Sequence, residues 1–91
     1  MATIVVRRPH GMERAAVRSA TTKLAEELKR SLSLHYQWNG DDLNFSGSGV
    51  NGAIRVREVD ILVEVNLSWI LRPLRGRIEQ QINAYLDTHL T

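Results

Sequence analysis

The sequence predicts an α+β fold: one antiparallel sheet with two helices packed on a single face. Three observations predict it. Residues 61–69 alternate with strand period, Ile61, Val63, Val65, Leu67 and Trp69 pointing one way and Leu62, Glu64, Asn66 and Ser68 the other. Two further segments repeat apolar residues at helical spacing. The order of elements, β-α-β-β-β-β-α, then constrains the sheet. If the first strand runs up, the helix returns down, and the next four strands run up, down, up and down. The last strand is antiparallel to the first and pairs with it, so the predicted strand order is 1-5-4-3-2.

Residues 3–8 form the first strand, with Ile4 and Val6 on one face and Thr3, Val5 and Arg7 on the other. Pro9-His10-Gly11 breaks it. Residues 12–32 read as a helix, since Val17, Ala20, Leu24, Leu28 and Leu32 recur at three- and four-residue steps. Lys23, Glu26, Lys29 and Arg30 cover its other side, and Glu26 and Arg30 are spaced for an i,i+4 ion pair.

Tyr36 and Trp38 share a face of the second strand, and Leu43 and Phe45 share a face of the third. A four-residue loop, Asn39-Gly40-Asp41-Asp42, sets Trp38 opposite Leu43 and Tyr36 opposite Phe45. Val50, Gly52, Ile54 and Val56 alternate with Asn51, Ala53, Arg55 and Arg57 in the fourth strand. Arg57-Glu58-Val59-Asp60 turns the chain into the fifth, which Pro73 ends. Leu74, Ile78, Ile82, Leu86 and Leu90, spaced by four, make the second helix. The outer face of the sheet carries Gln37, Asn44, Asn51, Arg55, Glu64 and Asn66, with Val5, Leu62 and Ile70 as apolar exceptions.

A chain of 91 residues, 43% hydrophobic and 24% charged, fits a single globular domain, residues 1–91. It has no cysteine, which excludes disulfides and thiolate metal sites. The opening Met-Ala-Thr-Ile-Val-Val-Arg-Arg has too short an apolar run for a signal peptide, and its arginines follow that run. No stretch approaches the ~18 apolar residues of a membrane span. Net charge is +2, and ten of the twelve basic residues are arginine, the side chain best suited to bidentate contact with carboxylate or phosphate.

Gly47, Gly49 and Gly52 stand at the G-x-G-x-x-G spacing of a dinucleotide-binding loop. That loop needs a helix after it, because its phosphate sits on a helix N-terminus. Here a strand pattern follows. The glycines are therefore read as a hairpin bend, with Gly47 and Gly49 supplying positive φ and Gly52 leaving room on the core face for Phe45 or a helix. His10, His35 and His89 are far apart, without metal-ligand spacing. There is no G-x-S-x-G elbow and no acid/base pair. Asp41, Asp42, Glu58 and Asp60 fall in turns, where their backbone hydrogen bonds are expected. The expectation is a protein that is not an enzyme and uses no cofactor or metal.

The candidate site is a surface. Trp69-Ile70-Leu71-Arg72-Pro73-Leu74-Arg75-Gly76-Arg77 gathers three arginines where the second helix begins. Cations there add to the positive end of the helix and to its free N–H groups, which favours an anion. Trp69 and Leu71 add apolar contact. The alternative is that the arginines are solvated or pair with Glu79 or strand-end acids. A basic helix start after a small sheet also occurs in double-stranded RNA-binding domains. Those have three strands between their helices and a G-P-x-H loop. This chain has four strands and Gly47-Ser48-Gly49-Val50, which argues against nucleic acid.

The whole chain resembles the polyhydroxyalkanoic acid system proteins, small bacterial proteins named for occurring with storage-polyester genes. The resemblance rests on Ile4-Val5-Val6-Arg7-Arg8 with His10, Lys23-Leu24-Ala25, Tyr36-Gln37-Trp38, Ser48-Gly49-Val50-Asn51-Gly52 with Ile54 and Val56, and Leu71 through Gly76-Arg77-Ile78-Glu79. It implies a cytoplasmic protein linked to polyhydroxyalkanoate metabolism or granules. It carries over no catalytic residue. The predicted topology is also similar to a reduced helix-grip fold, whose larger members hold hydrophobic ligands. Three functions follow as expectations: a non-enzymatic accessory protein contacting the granule or a granule protein through Trp69, Leu71, Arg72, Arg75 and Arg77; a binder of a small hydrophobic ligand between sheet and helices; or a structural homodimer using the outer sheet face or an edge strand.

Overall fold

The structure, a computed structural model, describes residues 2–90. Its elements are β1 (Ala2–Pro9), α1 (Arg14–Ser31), β2 (Leu34–Asn39), β3 (Asp42–Gly47), β4 (Val50–Val56), β5 (Asp60–Leu67), a 3-10 turn (Arg72–Leu74) and α2 (Arg75–His89). The five strands form one sheet in the order β1-β5-β4-β3-β2, and every pairing is antiparallel. The expected fold class and strand order are those observed.

The inner face is built in rows across the sheet. Ile4, Val65, Gly52, Phe45 and Tyr36 form one row, and Val6, Val63, Ile54, Leu43 and Trp38 the next. The register expected for the β2–β3 hairpin, Trp38 on Leu43 and Tyr36 on Phe45, is the observed one. Both helices cover this face. From α1, Val17, Leu24, Ala25 and Leu28 are buried, and from α2, Ile78, Ile82 and Leu86. Fully burying such a side chain contributes roughly 1.5–3 kcal/mol, and these layers fill the space between sheet and helices.

Side-chain contacts seat each helix on its half of the sheet. Trp38 Nε1 donates to Thr22 Oγ1 (3.1 Å), and the Arg18 guanidinium lies 4.0 Å from the Trp38 ring centre. Arg14 and Arg18 both pair with Asp41 in the β2–β3 turn. On the other half, Arg8 of β1 reaches Asn83 (2.9 Å) and Asp87 of α2.

Several local expectations are corrected. Pro9 is the last residue of β1 rather than its breaker, because an edge position tolerates the missing N–H. The Asn39–Asp42 loop is a two-residue turn, since Asn39 and Asp42 themselves pair; Gly40 at its first central position has φ +65°. Arg30 pairs with Glu27 (3.1 Å), not Glu26, because Glu26 accepts from the Tyr36 hydroxyl. Gly49 has positive φ (+81°) but Gly47 does not. Gly47 is required for a different reason: a Cβ there would lie 1.9 Å from the Ser33 carbonyl oxygen.

The largest correction concerns the end of β5. The strand stops at Leu67, well before Pro73, so Trp69 leaves the core row and is 75% exposed. Ile70 likewise leaves the outer sheet face for the following loop and is 66% exposed. Val5, 58% exposed, and the half-buried Leu62 remain on that face as expected.

Candidate functional site

The backbone after β5 is folded by a chain of short turns. Ser68 N–H donates to the Gly49 carbonyl at the tip of the β3–β4 hairpin (2.9 Å). Leu71 N–H then donates to Ser68 (3.1 Å), and Leu74 N–H to Leu71 (2.9 Å). Pro73 opens the 3-10 turn, where its fixed φ suits a helical start and its absent N–H costs nothing. Leu71 and Leu74 pack against the core. With those two turned inward, Trp69 and Ile70 are left on the outside.

The five residues expected at the site lie in this one segment, but they play different parts. Trp69 is exposed and Leu71 is half-buried beneath the loop. Arg72, Arg75 and Arg77 are exposed. Arg75 is engaged with its own fold: it pairs with Glu79 (3.5 Å) and reaches the Thr3 carbonyl of β1 (3.4 Å). Arg72 and Arg77 make no ion pair among the described residues. The first turn of α2 contains no acidic residue, and its cap residue, Leu74, makes no side-chain hydrogen bond to the helix. Two guanidinium groups without an ion-pair partner among the described residues therefore stand at the positive end of a helix, in a segment that also exposes an indole and an isoleucine.

Ile70 was not expected in this group. The signal was present in the sequence: Trp69-Ile70-Leu71 is three apolar residues in succession, which ends the period-2 alternation of β5. Gly49 was also assigned elsewhere. A Cβ at Gly49 would lie 2.8 Å from Ser68 Oγ and 3.3 Å from Leu71 Cδ1, so the hairpin tip is in contact with the arginine segment.

The remaining chemistry is dispersed. The histidines sit on separate elements: His10 Nε2 is 2.8 Å from the Arg57 carbonyl, His35 is exposed on β2, and His89 stacks on Tyr85 with ring centres 3.9 Å apart. Among the described residues no three His, Asp or Glu side chains gather as metal ligands. The acids meet arginines instead. Asp42 and Glu64 both pair with Arg55 (3.1 Å each) across the outer sheet face, and Asp60 pairs with Arg57 (2.7 Å) and Arg7 (3.5 Å). Two tyrosines are raised above the ordinary phenol value. Tyr36 is raised first by its hydrogen bond to Glu26 and then by burial, and Tyr85 first by burial and then by the charge of Glu27.

The glycine triplet lies wholly within the β3–β4 hairpin, and β4 follows it where a nucleotide loop would need a helix. Gly52 pairs with Phe45, and a Cβ on it would lie 2.8 Å from Phe45 Cζ and 2.0 Å from the Glu64 carbonyl. It is the space beneath the Phe45 ring.

Among the described residues no helix is long and apolar enough to cross a membrane. No curated protein matches the chain, and no solved structure does. One family model matches residues 4–90, and its description is "Putative polyhydroxyalkanoic acid system protein". A match over nearly the whole length, on a chain whose quoted motifs run from β1 into α2, makes this chain a member of the polyhydroxyalkanoic acid system protein family.

Proposed function

We propose that this chain is a non-enzymatic accessory protein of the polyhydroxyalkanoate system, and that it contacts the storage-polyester granule through the surface from Trp69 to Arg77. One observation carries the reading: the segment from Trp69 to Arg77 exposes Trp69 and Ile70 together with Arg72 and Arg77, and neither arginine has an ion-pair partner among the described residues. A polyester presents apolar chain, ester carbonyls and terminal carboxylates. Burying an indole and an isoleucine side chain against such chain is worth roughly 1.5–3 kcal/mol each. Guanidinium groups donate to carbonyl and carboxylate oxygens alongside. An interior ligand is less well supported, because the space between sheet and helices is occupied by buried side chains such as Ile54, Val63, Leu24 and Ile82.

The experiment is cosedimentation with isolated granules. Wild type is expected in the pellet. The triple variant Arg72→Ala/Arg75→Ala/Arg77→Ala and the double variant Trp69→Ala/Ile70→Ser are expected to shift to the supernatant. If wild type and both variants stay equally in the supernatant, the reading fails.

A further inference from the structure

The sheet has two free edges, and they differ. An unpaired edge invites another strand, and proteins block this with charge, proline or a covering group. The β1 edge has all three. Arg7 is exposed on it, Pro9 offers no N–H, and Arg75 Nη2 lies 3.4 Å from the Thr3 carbonyl. The β2 edge, Leu34-His35-Tyr36-Gln37-Trp38-Asn39, has no charged residue and no proline. Ser48 N–H donates to the Ser33 carbonyl (3.2 Å), which sets the alternation of the ladder. Ser33, His35, Gln37 and Asn39 turn their backbone polar groups toward β3. Leu34, Tyr36 and Trp38 turn theirs away from it. Among the described residues no backbone hydrogen bond takes up these outward groups.

We propose that β2 pairs with β2 of a second copy, antiparallel and about a two-fold axis, joining the two five-stranded sheets into one. The register follows from the outward groups. Pairing Tyr36 with Tyr36, and Leu34 of each copy with Trp38 of the other, satisfies all of them; a shift of two residues leaves one end unpaired. Three features favour a second copy over an unrelated strand. The strand is neutral, so the two-fold axis brings no like charges together. Tyr36 and Trp38 lie on the core face yet are only partly buried, and this pairing adds cover to both. Finally, α1 brings an acid and a base to the level of the axis. The Tyr36 hydroxyl donates to Glu26, and Lys29 Nζ lies 6.0 Å from the Tyr36 ring centre. The two-fold therefore sets Glu26 of each copy toward Lys29 of the other, a self-complementary arrangement. One edge-to-edge strand pair lies at the low end of the ~1,200 Å² of stable interfaces, so the dimer is concentration-dependent.

The test is sedimentation equilibrium across a concentration series into the millimolar range. In the proposed register, position 35 of one copy faces position 37 of the other on the outer sheet face. His35→Glu/Gln37→Glu places like charges opposite each other at both of these contacts, and roughly tenfold weaker association is expected. His35→Lys/Gln37→Glu places opposite charges there and is expected to associate at least as tightly as wild type. Matching circular dichroism and melting of the two variants establishes that each is folded. A wild type that stays monomeric throughout, a dimer indifferent to the first variant, or one weakened equally by both overturns the proposal.

Discussion

Gly49 accepts the Ser68 N–H at 2.9 Å and so ties the tip of the β3–β4 hairpin to the loop that carries Trp69 and Ile70. The hairpin and the arginine segment, far apart in sequence, are one structural unit. Gly49 has φ +81°, and a Cβ on it would press on Ser68 Oγ and Leu71. Gly49→Ala is expected to destabilise the chain by about 1–2 kcal/mol, the cost of holding a Cβ-bearing residue in the left-handed region. Urea unfolding measures it. Because Leu71 directly follows Trp69 and Ile70 in the chain and packs on the core, the variant is also expected to weaken granule cosedimentation while leaving every arginine in place.

The glycines separate by sign. At Gly52 an added Cβ meets the Glu64 carbonyl at 2.0 Å, and at Gly47 it meets the Ser33 carbonyl at 1.9 Å. Backbone cannot yield cheaply, so alanine at either position is expected to cost about 1–3 kcal/mol or more. Gly76 lies within α2 with nothing inside 4 Å of its added Cβ. Gly76→Ala is expected to stabilise by about 0.5–1 kcal/mol through helix propensity. Thermal melts of the three variants check this; a loss of stability in Gly76→Ala would contradict it.

Tyr36 supplies a pH signature. Its hydrogen bond to Glu26, then burial, raises its pKa above 10.0 in the folded chain, so folding favours the neutral phenol. A raised folded value contributes stability that is fully present below the unfolded value and is lost as pH rises through the folded one. The stability difference between wild type and Tyr36→Phe is therefore expected to be flat up to about pH 9 and to shrink above about pH 10. Denaturant titrations of both proteins over that range measure it.

The arginine variants are expected to remain folded. Arg72 and Arg77 are exposed and make no ion pair among the described residues, and the Arg75–Glu79 pair is exposed and spaced i,i+4. Such pairs contribute about 0.3–0.5 kcal/mol, so the triple alanine variant is expected within about 1 kcal/mol of wild type. Calorimetry measures it. Granule binding by the wild type is expected to weaken as salt rises, since exposed charges are screened beyond ~10 Å at 0.1 M ionic strength.

Much of the fold was legible because its signals are local. Period-2 alternation in β5 and four-residue spacing in α2 each follow from which side chains must face one core. Counting chain direction then left β1 beside β5, as the sheet has it. The site was legible as a segment but not as a geometry. Alternation predicts that Trp69 continues the core row, and nothing local shows that Ser68 is captured by Gly49 first.

The sequence by itself determined the strand order, the two helices, the family and the place where arginines gather. Tertiary structure decided which of those groups are free. Arg75 is drawn to Glu79 and Thr3, whereas Arg72 and Arg77 are not; Glu26 is taken by Tyr36 and leaves Arg30 to Glu27. It also decided that Gly47 is needed for close approach of backbone rather than for positive φ. The physical reason is common to all of these. Periodicity records which face of an element is apolar, but an ion pair or a steric gap depends on what another element brings within a few ångströms.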